Sequence, residues 1–204
     1  MLHYKLLTYL DKIIQNASSK KAILFTTLFI TFFVTINFSP IGFAGLQQIV
    51  DGARILDFEF GFTYEVAQEI LTALGDEGRA FYLRSLILLD TPFPITVMLA
   101  LVSYISLLLK HTSVKKMIRY LLIIPVLFML FDYIENIGII IMLINHPNLP
   151  RWAVMMSSIS GMLKYISSAV SVVAVVALFV VFLRSKFNRK SNCSNAVDKN
   201  NEKR

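Results

Sequence analysis

Cysteine is almost missing from this chain: Cys193 is the single one in 204 residues. That excludes a disulfide framework and any quinone-linked oxidoreductase working through a C-x-x-C pair. Histidine is nearly as scarce. His3, His111 and His146 each lie near the end of an apolar run, so bis-histidine haem inside a membrane is excluded as a design. A serine nucleophile would find no histidine beside it at depth. No H-E-x-x-H, P-loop or dinucleotide fingerprint occurs, and no spacing of carboxylates argues for a metal. Neither a metal nor a cofactor is therefore expected. Charge is low as well, at 16% of residues against 56% hydrophobic, with mean hydropathy +0.65. A soluble domain carries more charge and fewer long apolar runs. The formal net charge of +7 does not point to nucleic acid, because the basic residues sit at the ends of apolar runs, where they act as topology signals.

What the chain does have is four stretches long enough to cross a hydrocarbon core of about 30 Å as helix. They cover about 22–43, 82–109, 117–144 and 152–183, within a domain of 21–185. The first is too long for the apolar part of a signal peptide and is preceded by some twenty mostly polar or amphipathic residues, so it reads as a retained span. Breaks fall at Ser39-Pro40, over 110–116, and at Asn145-His146-Pro147 with Pro150. Lys5, Lys12, Lys20 and Lys21 precede the first span. Lys110, Lys115, Lys116 and Arg119 mark the second connector, and Arg184, Lys186, Arg189 and Lys190 follow the last span. The first connector is acidic, and the third offers only Arg151. The alternation predicts both termini in the cytoplasm and connectors one and three outside. Segment 1–20, with Leu2, Leu6, Leu7, Leu10, Ile13 and Ile14 at helical spacing, should be an amphipathic helix on the cytoplasmic leaflet. Segment 186–204 is polar and without periodicity and should be disordered.

The outer loop, 44–81, is too long for a plain turn. Thr63 is placed to cap a helix that starts at Tyr64 and stops at Gly75, with Ala67, Ile70, Leu71 and Leu74 on its apolar face. Together with the aromatic cluster Phe58, Phe60, Phe62 and Tyr64, this predicts an amphipathic helical loop lying on the outer surface and capping the bundle. Gly75 and Gly78 then turn the chain into the second span, leaving Arg79 at the outer mouth, to pair with an acidic group or an anionic headgroup, or to snorkel.

Ionisable residues inside the spans are costly and mark function by default. Asp90, Asp132, Glu135 and Lys164 qualify. Counting 1.5 Å per residue places all four between the outer third and the midplane. Asp132, Glu135 and Asn136 share one helical stripe. Asp90 stands beside Pro92 and Pro94, which break helical hydrogen bonds and suggest a kink lining a polar pocket, or a passive kink with Asp90 paired to Arg79 or Arg84. Thr27, Thr31 and Thr35 recur every fourth residue on the first span and read as packing or backbone-bonding groups. Three carboxyls against one ammonium can bind an amine or cation, relay protons, or act as general acid and base. A purely structural salt-bridge network is the bland alternative.

The run Leu74-Gly75-x-x-Gly78-Arg79-x-x-Tyr82, followed by Asp90 with Pro94 and by Asp132-x-x-Glu135-Asn136, resembles a group of small bacterial four-span membrane proteins over about residues 20–185. The resemblance implies the four-span fold and carries no known reaction. The layout is also loosely similar, by architecture alone, to the EXPERA group of sterol isomerases and sterol-binding proteins. The expected fold is an all-α, integral membrane four-helix bundle with an outer amphipathic helical loop, in a bacterial inner membrane. Ligand-binding candidates are Asp90, Asp132, Glu135, Asn136, Lys164 and Arg79. Three function classes stand: binding or transport of a small amphiphile, amine or cation, the transport case needing a homo-oligomer; acid–base chemistry on a lipid or isoprenoid; and an accessory or assembly role without chemistry.

Overall fold

A computed structural model describes the backbone over 2–112 and 116–201, and the side chains over 4–112 and 117–186. The side chains of His3, Lys115, Lys116, Arg189, Lys190 and Cys193 lie outside the described residues. The helices are α1 (Leu2–Gln15), α2 (Ser19–Phe38), α3 (Phe43–Ile49), α4 (Tyr64–Ala73), α5 (Gly75–Ser85), α6 (Phe93–His111), α7 (Ile124–Asn145) and α8 (Arg151–Asn201). A 3-10 turn at Leu56–Phe58 lies between α3 and α4, and another at Lys116–Ile123 leads into α7. Four stretches are long and apolar enough to cross a membrane: Ser19–Ile49, Gly75–His111, Met117–Asn145 and Arg151–Lys186. The chain is a multi-pass, all-α membrane protein. Large apolar side chains such as Leu24, Ile30, Ile137, Val173 and Val176 are exposed on the bundle exterior, which is the arrangement lipid demands and water would not tolerate.

The closest pairing is α7 with α8. Two glycines make it possible. A methyl on Gly138 would collide with the Ser157 hydroxyl, and one on Gly161 with the Glu135 carboxylate. Small residues at a helix crossing let backbones approach where lipid supplies no hydrophobic drive. α6 packs against α2, α7 and α8, whereas α2 leans chiefly on α6 and buries little beyond Ala22.

The loop between α2 and the second span is folded down on one end of the bundle. Leu46, Leu56, Ile70, Leu71 and Leu74 join Ile139, Met142, Ala153 and Val154 of α7 and α8 in one core. α4 starts where the sequence places it: Thr63 accepts from the Val66 backbone N–H. The Glu65 carboxyl is held below its usual range by its own backbone N–H and by the Thr63 hydroxyl. Gly75 takes φ 62, the left-handed turn that ends α4. Gly78 has a different role from the one its sequence position suggests. It sits buried inside α5, where a Cβ would stand 3.0 Å from the Val50 side chain, so it serves close packing and not the turn.

At the opposite end α1 lays Leu10 and Ile14 against Ile105, Leu109, Leu122 and Leu178. Lys110 donates to the carbonyls of Gln15 (2.8 Å) and Ala17 (3.1 Å), and Arg119 pairs with Asp11. Tyr4, Leu6, Tyr9 and Ile13 of α1 stay exposed. In the terminal segment the described backbone is helical to Asn201, with no glycine or proline to break it.

Candidate functional site

The second span is interrupted where its prolines fall. A π-turn at Leu86–Asp90 joins α5 to α6, and Thr91 N–H donates back to Leu86 C=O (3.1 Å). π-turns inside helices frequently accompany functional sites. The Tyr133 hydroxyl donates to the Thr91 carbonyl at 2.9 Å, so α7 satisfies part of the backbone that the break disturbs. The turn leaves Asp90 half-buried, and neither Arg79 nor Arg84 reaches it. Arg84 bonds the Ala80 carbonyl (3.3 Å) and lies over Phe81. Arg79 donates to the Leu71 carbonyl at 2.8 Å and pairs with Asp76. Arg79 therefore ties off the end of α4 and pairs with an acidic group there, away from the charged cluster. Among the described residues Asp90 has no ion-pair or hydrogen-bonding partner.

α7 and α8 supply the centre. Thirteen residues separate Asp132 from the end of α7 and Lys164 from the start of α8, so both lie about 20 Å in and meet at one level. The Lys164 ammonium pairs with Glu135 and, at 3.3 Å, with Asp132. Asn136 donates to the other Asp132 oxygen at 3.1 Å. Ser157 donates to the Glu135 backbone carbonyl at 2.9 Å. Glu135 is 0% exposed, and its carboxylate has the Lys164 ammonium as its ionic partner. The stripe Asp132, Glu135, Asn136 is thus brought together with Lys164. The threonines of α2 turn out to bond their own helix: Thr27 donates to Ile23 C=O (3.0 Å) and Thr31 to Thr27 C=O (2.9 Å).

One residue of the site is not among the sequence candidates. Asp57, in the 3-10 turn of the capping loop, is 7% exposed. The Tyr82 hydroxyl donates to its carboxylate, and the Tyr165 hydroxyl donates to its backbone carbonyl at 2.6 Å. Its second carboxylate oxygen is buried without a partner. In the sequence Asp57 is one of seven acids in that connector, and only its apolar neighbours Ile55, Leu56 and Phe58 hint that it is drawn inward.

These groups border a cavity of about 540 Å³, within the roughly 300–1,000 Å³ usual for small-molecule sites. Asp57, Asp90, Asp132 and Lys164 line its end nearer the loop. From there apolar walls of α2, α6 and α8 run to Thr26, Tyr104 and Val172, where Thr26 donates to the Tyr104 hydroxyl at 3.0 Å. Asp90 and Tyr104 are fourteen residues apart along the second span, so the chamber extends on the order of 20 Å. Phe33 on α2 is 44% exposed and Val172 on α8 is 51% exposed, yet both line the cavity. The chamber therefore opens sideways between α2 and α8.

No family model, curated protein or solved structure matches this chain. The site has to be read from its own chemistry. Among the described residues no group of three His, Cys, Asp or Glu side chains is disposed to hold a metal ion. The arrangement offers a charged recess with one lysine already shared between two carboxylates, and beneath it a long apolar slot. Such a space suits a molecule with a polar end and a hydrocarbon body.

Proposed function

We propose that this protein binds a small amphiphile inside the membrane, as a carrier or transport component. The observation that carries the reading is the polarity gradient of one cavity, charged at the loop end and apolar over the rest, with a side opening at the level of lipid tails. A polar head desolvated among charges and a tail laid along α2, α6 and α8 would match that gradient. In this reading the loop end faces the outside of a bacterial inner membrane and both termini face the cytoplasm. The support is the lysine and arginine pattern of the connectors. Transport by so few spans would call for a homo-oligomer.

A second reading is acid–base chemistry on a lipid. It is favoured by Asp57, which lines the cavity and accepts from the buried Tyr82 hydroxyl, since a carboxylate bonded to a phenol can exchange a proton with a bound molecule. Extraction in mild detergent followed by mass spectrometry of bound small molecules tests the first reading. A retained amphiphile supports it, and an empty preparation contradicts it. Conversion of that amphiphile to a second species on incubation would move the assignment to the enzyme.

A further inference from the structure

Four carboxyls and one ammonium share the charged end: Asp57, Asp90, Asp132 and Glu135 with Lys164. Lys164 is already committed to Asp132 and Glu135. It has little left for an anionic head group. The two acids facing the cavity beyond that triad are Asp90 and Asp57. Among the described residues Asp90 has no side-chain hydrogen-bond or ion-pair partner of its own. Asp57 is more than nine-tenths buried and keeps one carboxylate oxygen free of any hydrogen bond. A buried carboxylate oxygen left unmatched is costly unless a partner arrives, and here the partner must be a donor or a cation. The carboxylates do not converge as metal ligands do. Phe58, Phe93 and Tyr165 line the same recess, and aromatic faces attract organic ammonium groups.

We propose that the amphiphile taken by this cavity carries a cationic head, a protonated amine or a quaternary ammonium on a single long hydrocarbon chain, held between Asp90 and Asp57. The proposal rests on the amphiphile reading above and adds the sign of the head group. A negative head would meet unpaired carboxylates, and a neutral hydroxyl could donate to one of them without neutralising either. The cation alone neutralises the pair.

The full chain in phosphatidylcholine nanodiscs tests this with four probes of equal chain length: hexadecylamine, hexadecyltrimethylammonium, hexadecanol and palmitate. Thermal unfolding is followed at one mole fraction of each. The two cations should raise Tm by several degrees, hexadecanol by less, and palmitate not at all. Asp90→Asn should leave the ligand-free Tm no lower, because it removes a group without a partner, and lose most of the rise with the cations. Asp57→Asn, whose amide oxygen still accepts from Tyr82, should do the same and serves if Asp90→Asn does not insert. Equal stabilisation by palmitate would overturn the cationic head while leaving the amphiphile reading intact. No stabilisation by any probe would overturn both. Stabilisation by the cations that survives in both variants would show a bilayer effect and also overturn the proposal.

Discussion

At the residue scale the decisive group is Lys164. It is nearly fully buried and holds two carboxylates that would otherwise repel each other in a medium that solvates neither. Removing one partner of such a set strands the rest, which costs about 3–5 kcal/mol. Lys164→Met should therefore lower thermal stability sharply in detergent. Adding Glu135→Gln and Asp132→Asn to it should recover much of the loss, because no charge then remains unpaired. A Lys164→Met variant as stable as the parent would mean the triad is not formed. The sequence made this group legible through two simple signals, the helical spacing of Asp132, Glu135 and Asn136 and the matching depth of Lys164. Asp57 was not legible in the same way. Its burial depends on a loop folding back onto the bundle and on Tyr82 and Tyr165 reaching it from two other helices, and nothing local encodes that meeting. Which partner Arg79 takes was hard to read for a related reason. A basic residue at a helix start has two outlets, and the free carbonyl end of α4 lay nearer than the cluster.

At the element scale the capping loop determines whether the site is closed. Its helix α4 was predictable from Thr63, the apolar face and Gly75, because capping and amphipathicity are local properties. How it docks was not. The His146 ring, in the connector between α7 and α8, meets the Thr72 hydroxyl of α4 at 3.1 Å. Burial first, and the Arg79 guanidinium next, hold the His146 pKa below its ordinary 6.5. A histidine whose folded pKa is depressed favours the neutral ring in the fold. Its contribution is complete above the unfolded value and is lost as pH falls through the window below 6.5. Thermal stability should decline on acidification across that window, and His146→Gln should flatten that part of the profile. An unchanged slope in the variant would show that this tie between loop and bundle contributes nothing. The same scale accounts for the π-turn. Pro92 and Pro94 announced a break, but its form was not local: the helix widens into a π-turn at Leu86–Asp90, and Tyr133 from α7 donates to the Thr91 carbonyl just beyond it.

For the whole molecule, four spans were readable because bilayer thickness imposes one length on every crossing helix. The cavity was not readable, since residues of α2, α6, α7 and α8 line it together, an arrangement that hydropathy does not record. The reading of sidedness can be checked directly in a Cys193→Ser background. Glu69→Cys should react with a membrane-impermeant maleimide on intact cells, and Lys5→Cys only after lysis; the opposite pattern would invert the topology and place the charged recess on the cytoplasmic side. The account as a whole stands on the cavity holding a molecule. Native mass spectrometry of the protein released from nanodiscs, parent beside Val97→Trp, addresses that most directly. Val97 lines the apolar slot, and an indole there takes up space a hydrocarbon tail would need. The account predicts one amphiphile retained by the parent and loss of it in the variant. A bare parent, or the same adduct on both, would contradict it.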